Sequence, residues 1–296
     1  KDNIIFHTVI WPGELMAVGP LYADDPTQTL NLPYDVPANE YLNMESQKLS
    51  TSRGWAIWAP DMLERYDPDP IRFYLTAVAP ETRDADFTWD GFVRRNNDEL
   101  VATWGNLVNR MLSFAYRHFE GRVPQSGELD GADRDILARA EAGFGSVGEL
   151  IESVRLKAAL EEAMGIARAA NVYLDQKAPW FQIKEDRAAA ATTVYVILRT
   201  IDNLKVLFSP FLPFTSQRLH EMLGYEGQLF GRQYTQSFTE NERSHATLCY
   251  DSSQAIGRWQ PSQLPVDQEL QRPSPLFRKL DEDVADKELA RLLGES

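Results

Sequence analysis

Apolar residues recur at helical spacing through the middle of the chain. Leu100, Trp104, Leu107, Val108, Met111 and Ala115 fall at i, i+4, i+7, i+8, i+11 and i+15, which places them on one face of a long helix. Leu156, Leu160, Ala163, Ala167, Ala170 and Leu174 repeat the pattern. So do Val194, Ile197, Ile201, Leu204 and Phe208, until Pro210 ends the helix. Pro213 opens another, with Leu219, Met222 and Leu223 inward, and Gly121 to Gly131 reads as a connector. The two ends of the chain are patterned differently. Asn3 to Trp11 reads as a strand end passing into a helix start at Pro12, and Leu21 to Pro37 as a loop. Glu40–Met44 and Trp55–Trp58 are short apolar segments around a polar turn and suit a hairpin. Asp61–Arg65 reads as a short helix. Asp67-Pro-Asp-Pro70 starts an apolar helix over Ile71–Val78, closed by Pro80. Residues 224–275 are polar, rich in Gln and Ser and cut by prolines, and read as an irregular, surface-hugging tail. Leu280–Leu293 suits a short amphipathic helix.

These elements predict a mostly α chain: a small α/β piece over 1–90, an antiparallel helix bundle over 91–225 and an extended tail over 226–296. The 296 residues hold 43% hydrophobic and 25% charged side chains, an ordinary globular balance that excludes disordered, collagen-like and coiled-coil readings. No run approaches the roughly 20 apolar residues that span a bilayer, so no membrane partner is expected. Lys1 and Asp2 open the chain with no initiator Met and no signal-like region, so the start reads as internal to a longer protein. Cys249 is the single cysteine, which excludes an internal disulfide and a Cys-rich zinc site and fits a reducing, cytoplasmic setting. The four histidines are scattered, with no His-x-x-x-His spacing, so no resident metal is expected.

The net charge of -14 argues against gripping nucleic acid through a broad basic field. Charge is uneven, however. Trp89–Arg122 carries five cations against four carboxylates, whereas Asp281–Ser296 carries six carboxylates against two cations. The global sign therefore need not describe a binding face.

Three groups of residues carry candidate chemistry. Lys48-Leu49-Ser50-Thr51-Ser52-Arg53 is a small-residue turn with two cations and three hydroxyls, suited to a polyphosphate. Alone, such a turn is most often a solvated loop. Asn106 and Arg110 lie one helical turn apart on a shared face, with Trp104 about 200° away on the buried side. By itself that pair is a solvated helix face. Trp180 follows Ala178-Pro179 just after a long helix, as either a junction core residue or an exposed stacking surface.

The order of several segments links these groups. Lys1-Asp2-Asn3-Ile4-Ile5-Phe6-His7 through Pro12, the Lys48 turn, Ala79-Pro80-Glu81-Thr82-Arg83-Asp84, Asn97-Asp98-Glu99, Trp104 to Arg110, and Ala178-Pro179-Trp180 follow one another. This run closely resembles the methionyl-tRNA synthetases, class I aminoacyl-tRNA synthetases, over nearly the whole chain. Pro275-Leu276-Phe277-Arg278-Lys279-Leu280-Asp281 resembles that family's closing segment.

The resemblance implies the late part of a Rossmann-type catalytic domain with a stem-contact region, then an anticodon-binding bundle. The activity it implies is methionine–tRNA ligation: ATP with Mg2+ activates L-methionine to methionyl adenylate, and the aminoacyl group passes to tRNA-Met. The Lys48 turn matches the family's KMSKS loop, which makes Lys48, Ser50, Ser52 and Arg53 catalytic candidates that neutralise ATP phosphates. The second lysine of that signature is Thr51 here, so neutralisation rests more on Lys48 and Arg53. Asp2, Asn3 and His7 match residues beside the adenosine and methionine sites; a carboxylate at Asp2 suits ribose hydroxyls. Without the resemblance, His7 reads first as a hydrogen-bonded core histidine. Asn106, Arg110 and Trp180 match the readers of the CAU anticodon: amide and guanidinium for base edges, indole for stacking.

The family's first signature, His-Ile-Gly-His, occurs nowhere, and the first half of the nucleotide fold is missing with it. The chain by itself is therefore expected to bind tRNA without activating methionine. A related synthetase for Leu, Ile or Val fits less well, because the Asn–Arg pair with Ala-Pro-Trp favours methionine. A plain helical scaffold would need the motif order to be coincidence.

Overall fold

The computed structural model describes residues 1–22, 30–240 and 243–294. By compactness the chain forms two units: Lys1–Ala56 with Val78–Thr88, and Ile57–Ala77 with Trp89–Ser296. The segment 57–77 thus packs in the second unit.

The first unit is thin. A π-helical stretch, Phe6–Ile10, runs into α1 (Trp11–Tyr22). This corrects the strand expected over Asn3–Trp11. A strand leaves its N–H and C=O groups to a neighbour, and no strand pairs with this segment among the described residues; a helix satisfies those groups internally. Of the loop expected over Leu21–Pro37, residues 23–29 lie outside the described residues. In this unit β1 (Leu42–Met44) pairs with β2 (Ala85–Phe87), parallel and in register Leu42↔Ala85. Met44 is buried, and the sheet's partner comes from forty residues on, so the hairpin expected between 40–44 and 55–58 does not form. The turn closes only through the bridges Met44↔Gln47 and Ser50↔Trp55.

The second unit holds the main core. It begins with α2 (Ala59–Arg65) and α3 (Pro68–Ala77). Next, α4 (Trp89–Arg95), a π-helical segment (Asn96–Gly105) and α5 (Asn106–His118) follow without a break. Three 22-residue helices come after: α6 (Gly131–Glu152), α7 (Leu156–Lys177) and α9 (Arg187–Phe208), with short α8 (Pro179–Glu185) before α9. Helices α6, α7 and α9 pack on one another, and α5 packs on α9. Apart from Leu156, which is exposed at the start of α7, every residue of the three sequence-predicted apolar stripes is buried in one cluster. The starts of α6 and α9 are capped by side chains. Asp130 and Asp133 form a reciprocal capping box on α6, and Asp186 accepts from the backbone of Ala188 and Ala189 on α9. Buried Asp69 accepts from Thr215 N and Oγ1 at 2.6 and 2.7 Å, fixing the start of α10 (Pro213–Met222). Burial pushes the Asp69 carboxyl above the usual range, and those hydrogen bonds oppose the push.

The tail departs from expectation at one place. β3 (Arg232–Glu240) and β4 (Arg243–Asp251) form an antiparallel ribbon. Its alternation of Thr, Tyr, Phe and Gln is strand-like, but nearly every described position is exposed, so no apolar face marks it in the sequence. The rest of the tail is irregular and pinned: Leu264, Leu270, Leu276 and Phe277 enter the helical core. Finally α11 (Val284–Leu293) is held through buried Glu288. That carboxylate takes both Arg65 Nε (2.8 Å) and Nη2 (3.0 Å), Tyr66 OH (2.8 Å) and Arg291 Nη1 (2.5 Å). No helix of the described residues is long and apolar enough to cross a membrane.

Candidate functional site

Two clusters gather the candidate residues, one in each unit. In the first unit, Ser50 and Trp55 exchange backbone hydrogen bonds, each 2.9 Å, and so close the base of a loop. Thr51–Arg53 turns as a short 3-10 helix inside it, and Gly54 ends the turn at φ +70°, where a side chain would be strained. The loop's flank is anchored: Trp55 Nε1 donates to Met44 O at 3.0 Å, and Ser46 N and Oγ donate to the Asp86 carboxylate. Lys48, Ser52 and Arg53 are exposed and Ser50 is half-buried. Arg53 Nη2 donates to Lys48 O at 3.3 Å, and the Ser50 and Ser52 hydroxyls stand 3.2 Å apart.

Tyr41 joins this loop to the start of the chain. Its hydroxyl donates to Asp2 Oδ2, and Lys48 Nζ lies 5.4 Å from its ring centre. Lys1 Nζ stands 4.6 Å from the same ring and bonds Glu40 at 2.5 Å. Hydrogen bonding to Asp2 holds the Tyr41 hydroxyl above its ordinary pKa. Asp2 and Lys48 are thus brought to one aromatic ring, which sequence reasoning passed over. A tyrosine one position before a short strand gave no motif to find it by.

His7 sits in the π-helical stretch, half-buried. Its Nδ1 donates to Asn3 O at 2.8 Å. Phe6 and Trp11 meet it edge-on at 5.3 and 6.2 Å. Asn3 contributes this carbonyl; its side chain is exposed.

The second cluster lies where α5 meets α8. Asn106 is exposed and Arg110 half-buried, while Trp104, Leu107, Val108 and Met111 are buried. The Arg110 guanidinium carbon lies 4.8 Å from the Trp180 ring centre, a cation–π contact. Trp180 is half-buried against the core, and Phe181 beside it is 62% exposed. Ala178 aims this pair: at φ +45° it ends α7 and starts α8, and buried Pro179 takes the first helical position. Lys177 fixes the corner, bonding Asp130 at 2.5 Å and Asp133 at 2.7 Å. The arrangement offers a guanidinium on the Trp180 ring, the Asn106 amide one turn away on α5, and the Phe181 ring 6.4 Å from that of Trp180. Phe181 was not singled out by the sequence, where it looks like any apolar residue of an amphipathic helix. Among the described residues, no group of three or more His, Cys, Asp or Glu side chains is arranged to hold a metal ion.

Comparison with known proteins defines the class first. A profile of class I tRNA synthetases of the methionine type matches residues 1–112, and a profile of the anticodon-binding domain of methionyl tRNA ligase matches 123–253. The fold agrees. A Mycobacterium tuberculosis methionyl-tRNA synthetase in its apo form superposes with a TM-score of 0.72 at 25% identity, covering 95% of this chain and 48% of that one. The same enzyme bound to methionyl-adenylate gives 0.74 at 26% identity, covering 94% and 48%. Among curated proteins, the methionine–tRNA ligase of Thermomicrobium roseum is 55% identical over 298 residues, all of this chain and 50% of that protein. That of Thermobifida fusca is 43% identical over 302 residues, 99% of this chain and 50% of that protein. The chain belongs to the methionyl-tRNA synthetase family. It spans about half the length of the curated relatives it matches.

Proposed function

We propose that this chain supplies the KMSKS-like loop and the anticodon-reading bundle of a methionine–tRNA ligase acting in the cytoplasm. The substrates are L-methionine, ATP with Mg2+, and tRNA-Met with a CAU anticodon. The observation that carries the reading is the Arg110 guanidinium against the Trp180 ring, with Asn106 one turn away on the same helix. This combination suits a splayed-out base: stacking on the indole, hydrogen bonds from the guanidinium and amide to its Watson–Crick edge. Such recognition needs little basic field, which reconciles it with a chain of net charge -14.

Lys48 and Arg53 are proposed to neutralise the ATP phosphates as charge moves to the leaving pyrophosphate, with Ser50 and Ser52 shaping the loop. Asp2 is proposed to take ribose hydroxyls, shared with Tyr41, and His7 to line the methionine pocket with Asn3 behind it. The functional division at 1–90, 91–225 and 226–296, the Rossmann-type origin of the first part and the antiparallel sense of the bundle belong to the same proposal. Connectors of only a few residues between α6 and α7 and between α8 and α9 support that sense.

A second reading is favoured by one observation. Ile5, Phe6, Val9, Ile10 and Met16 are all exposed, an apolar run that a complete nucleotide fold would cover. On that reading the chain alone binds tRNA and does not activate methionine, the missing catalytic half being its partner. Binding to a CAU anticodon stem-loop, beside one with a changed first anticodon base, tests the main proposal. Trp180→Ala is expected to weaken the CAU complex by about 1–3 kcal/mol and to erase the preference. Equal, weak and strongly salt-dependent binding to both RNAs contradicts it.

A further inference from the structure

The helix from Trp89 to His118 changes register in its middle, and the change decides where Asn106 and Arg110 point. In α4 the buried positions are Trp89, Phe92, Val93 and, just beyond it, Asn96. Continued at 100° per residue, that stripe would run through Leu100, Thr103, Leu107 and Phe114, with Arg110 and Met111 about equally far on either side of its centre. The buried face instead runs through Leu100, Trp104, Leu107, Val108, Met111, Leu112 and Ala115, while Thr103 and Phe114 are only half-buried, so its centre is displaced by about one residue. A delay of one residue is what i→i+5 bonding introduces, and the segment Asn96–Gly105 is π-helical. The π segment thus rotates Arg110 away from the centre of the core, toward Trp180.

This register is held from outside the helix. Asn97 and Leu280 exchange two hydrogen bonds, Nδ2 to Leu280 O and Leu280 N to Oδ1, both 2.9 Å. Asn96 Nδ2 donates to Arg278 O at 3.0 Å. From the other side, Asn171 on α7 donates to Thr103 O at 3.2 Å. Gly105 closes the segment: a Cβ there would stand 2.9 Å from Leu100 O and 3.1 Å from the Phe277 ring. Two motifs noted in the sequence, Asn97-Asp98-Glu99 and Pro275 to Asp281, meet here.

We propose that Asn97, Asn171 and the closing segment Phe277–Leu280 are positioning residues: they clamp the π register that aims Asn106 and Arg110 at RNA. The proposal rests on the anticodon reading above. Without the clamp, the segment relaxes toward i→i+4 bonding and turns Arg110 inward by about 100°.

The test is binding of the full chain to CAU and altered-first-base stem-loops in the parent, Asn97→Ala and Asn171→Ala. Thermal unfolding and amide exchange over 96–110 are followed in parallel. In the variants, cooperative unfolding of the helical unit is retained and exchange rises locally over 96–106. The CAU preference falls about tenfold or more, the worth of a misplaced charged hydrogen bond. Variants that keep the parent's preference, with unchanged local exchange, overturn the clamp alone. A parent without preference overturns the anticodon reading and the positioning role together. If Asn97→Ala fails to fold, Asn171→Ala, acting on Thr103 from the opposite side, decides the matter.

Discussion

The two units solve the burial problem differently. In the second, Leu107, Leu112, Ile197, Leu204 and Phe208 have no exposed surface, and its few buried charged side chains, such as Asp202, Lys205 and Glu288, have partners. In the first, a three-residue strand pairs with another, and Ile5 (69% exposed) and Met16 (65%) face outward. The second unit closes a core from its own residues; the first buries few apolar side chains. For function, the difference means that the Arg110–Trp180 cluster is oriented by a closed core, whereas the Asp2–Tyr41–Lys48 cluster stands on a thin unit with exposed apolar surface.

The strongest way to break the contrast is through the enclosed charges of the second unit. Asp202 and Lys205, each 4% exposed in the side chain, pair at 2.5 Å; Tyr225 OH donates to Asp202 at 2.8 Å, and Ser262 Oγ also donates to it. Asp202→Ala strands the Lys205 ammonium and releases the tail at Ser262. It is expected to cost about 3–5 kcal/mol in denaturant unfolding. Trp104→Ala, which removes a ring 5.0 Å from Phe208, is expected to cost a similar amount, about 3–5 kcal/mol. Losses below about 1 kcal/mol from both would deny the second unit its closed core.

A smaller effect sharpens the comparison through pH. Burial first, and then the nearby Lys205 charge, hold His220 below the usual histidine range, while Asp202, Glu221 and the Glu226 carbonyl oppose the shift. Its Nδ1 lies 3.2 Å from Lys205 Nζ, and its ring stacks on Tyr225 at 4.9 Å. A folded-state pKa below the unfolded one contributes stability that is complete above about pH 6.5 and is lost as pH falls below it. The second unit's Tm is therefore expected to drop between pH 7 and 5, and His220→Gln to flatten that slope. A slope unchanged in His220→Gln would assign the pH dependence to other groups.

The smallest effect lies in the first unit. Ile5→Ser, at an exposed apolar position, is expected to change the stability of this chain by less than about 0.5 kcal/mol. In a protein carrying the complete nucleotide fold, the same substitution is expected to cost well over 1 kcal/mol, because the side chain is then buried. Equal small effects in both contexts would mean that nothing covers this face.

Sequence legibility follows the same division. The stripes of α5, α7 and α9 were readable because each long amphipathic helix states its own buried face at a period of 3.6. Asn106 opposite Trp104 followed from that period. What failed depends on partners outside the local segment. Leu42–Met44 takes its strand partner from 85–87, and Asn3–Trp11 has no described partner, so it turns helical. The β3–β4 ribbon escaped because its strands lack an apolar face. Tyr41 and Phe181 carry no local signature, and the π register over Asn96–Gly105 shows only once burial on its two sides is compared.

The most direct test of the account is a double-mutant cycle of Arg110→Ala and Trp180→Ala on binding to the CAU stem-loop and to one with the first anticodon base changed. The account predicts that each substitution alone removes most of the CAU preference. It also predicts that the double variant loses less affinity than the sum of the two, since the guanidinium and the indole act on one base. Strictly additive losses, with the CAU preference intact in either single variant, would contradict it.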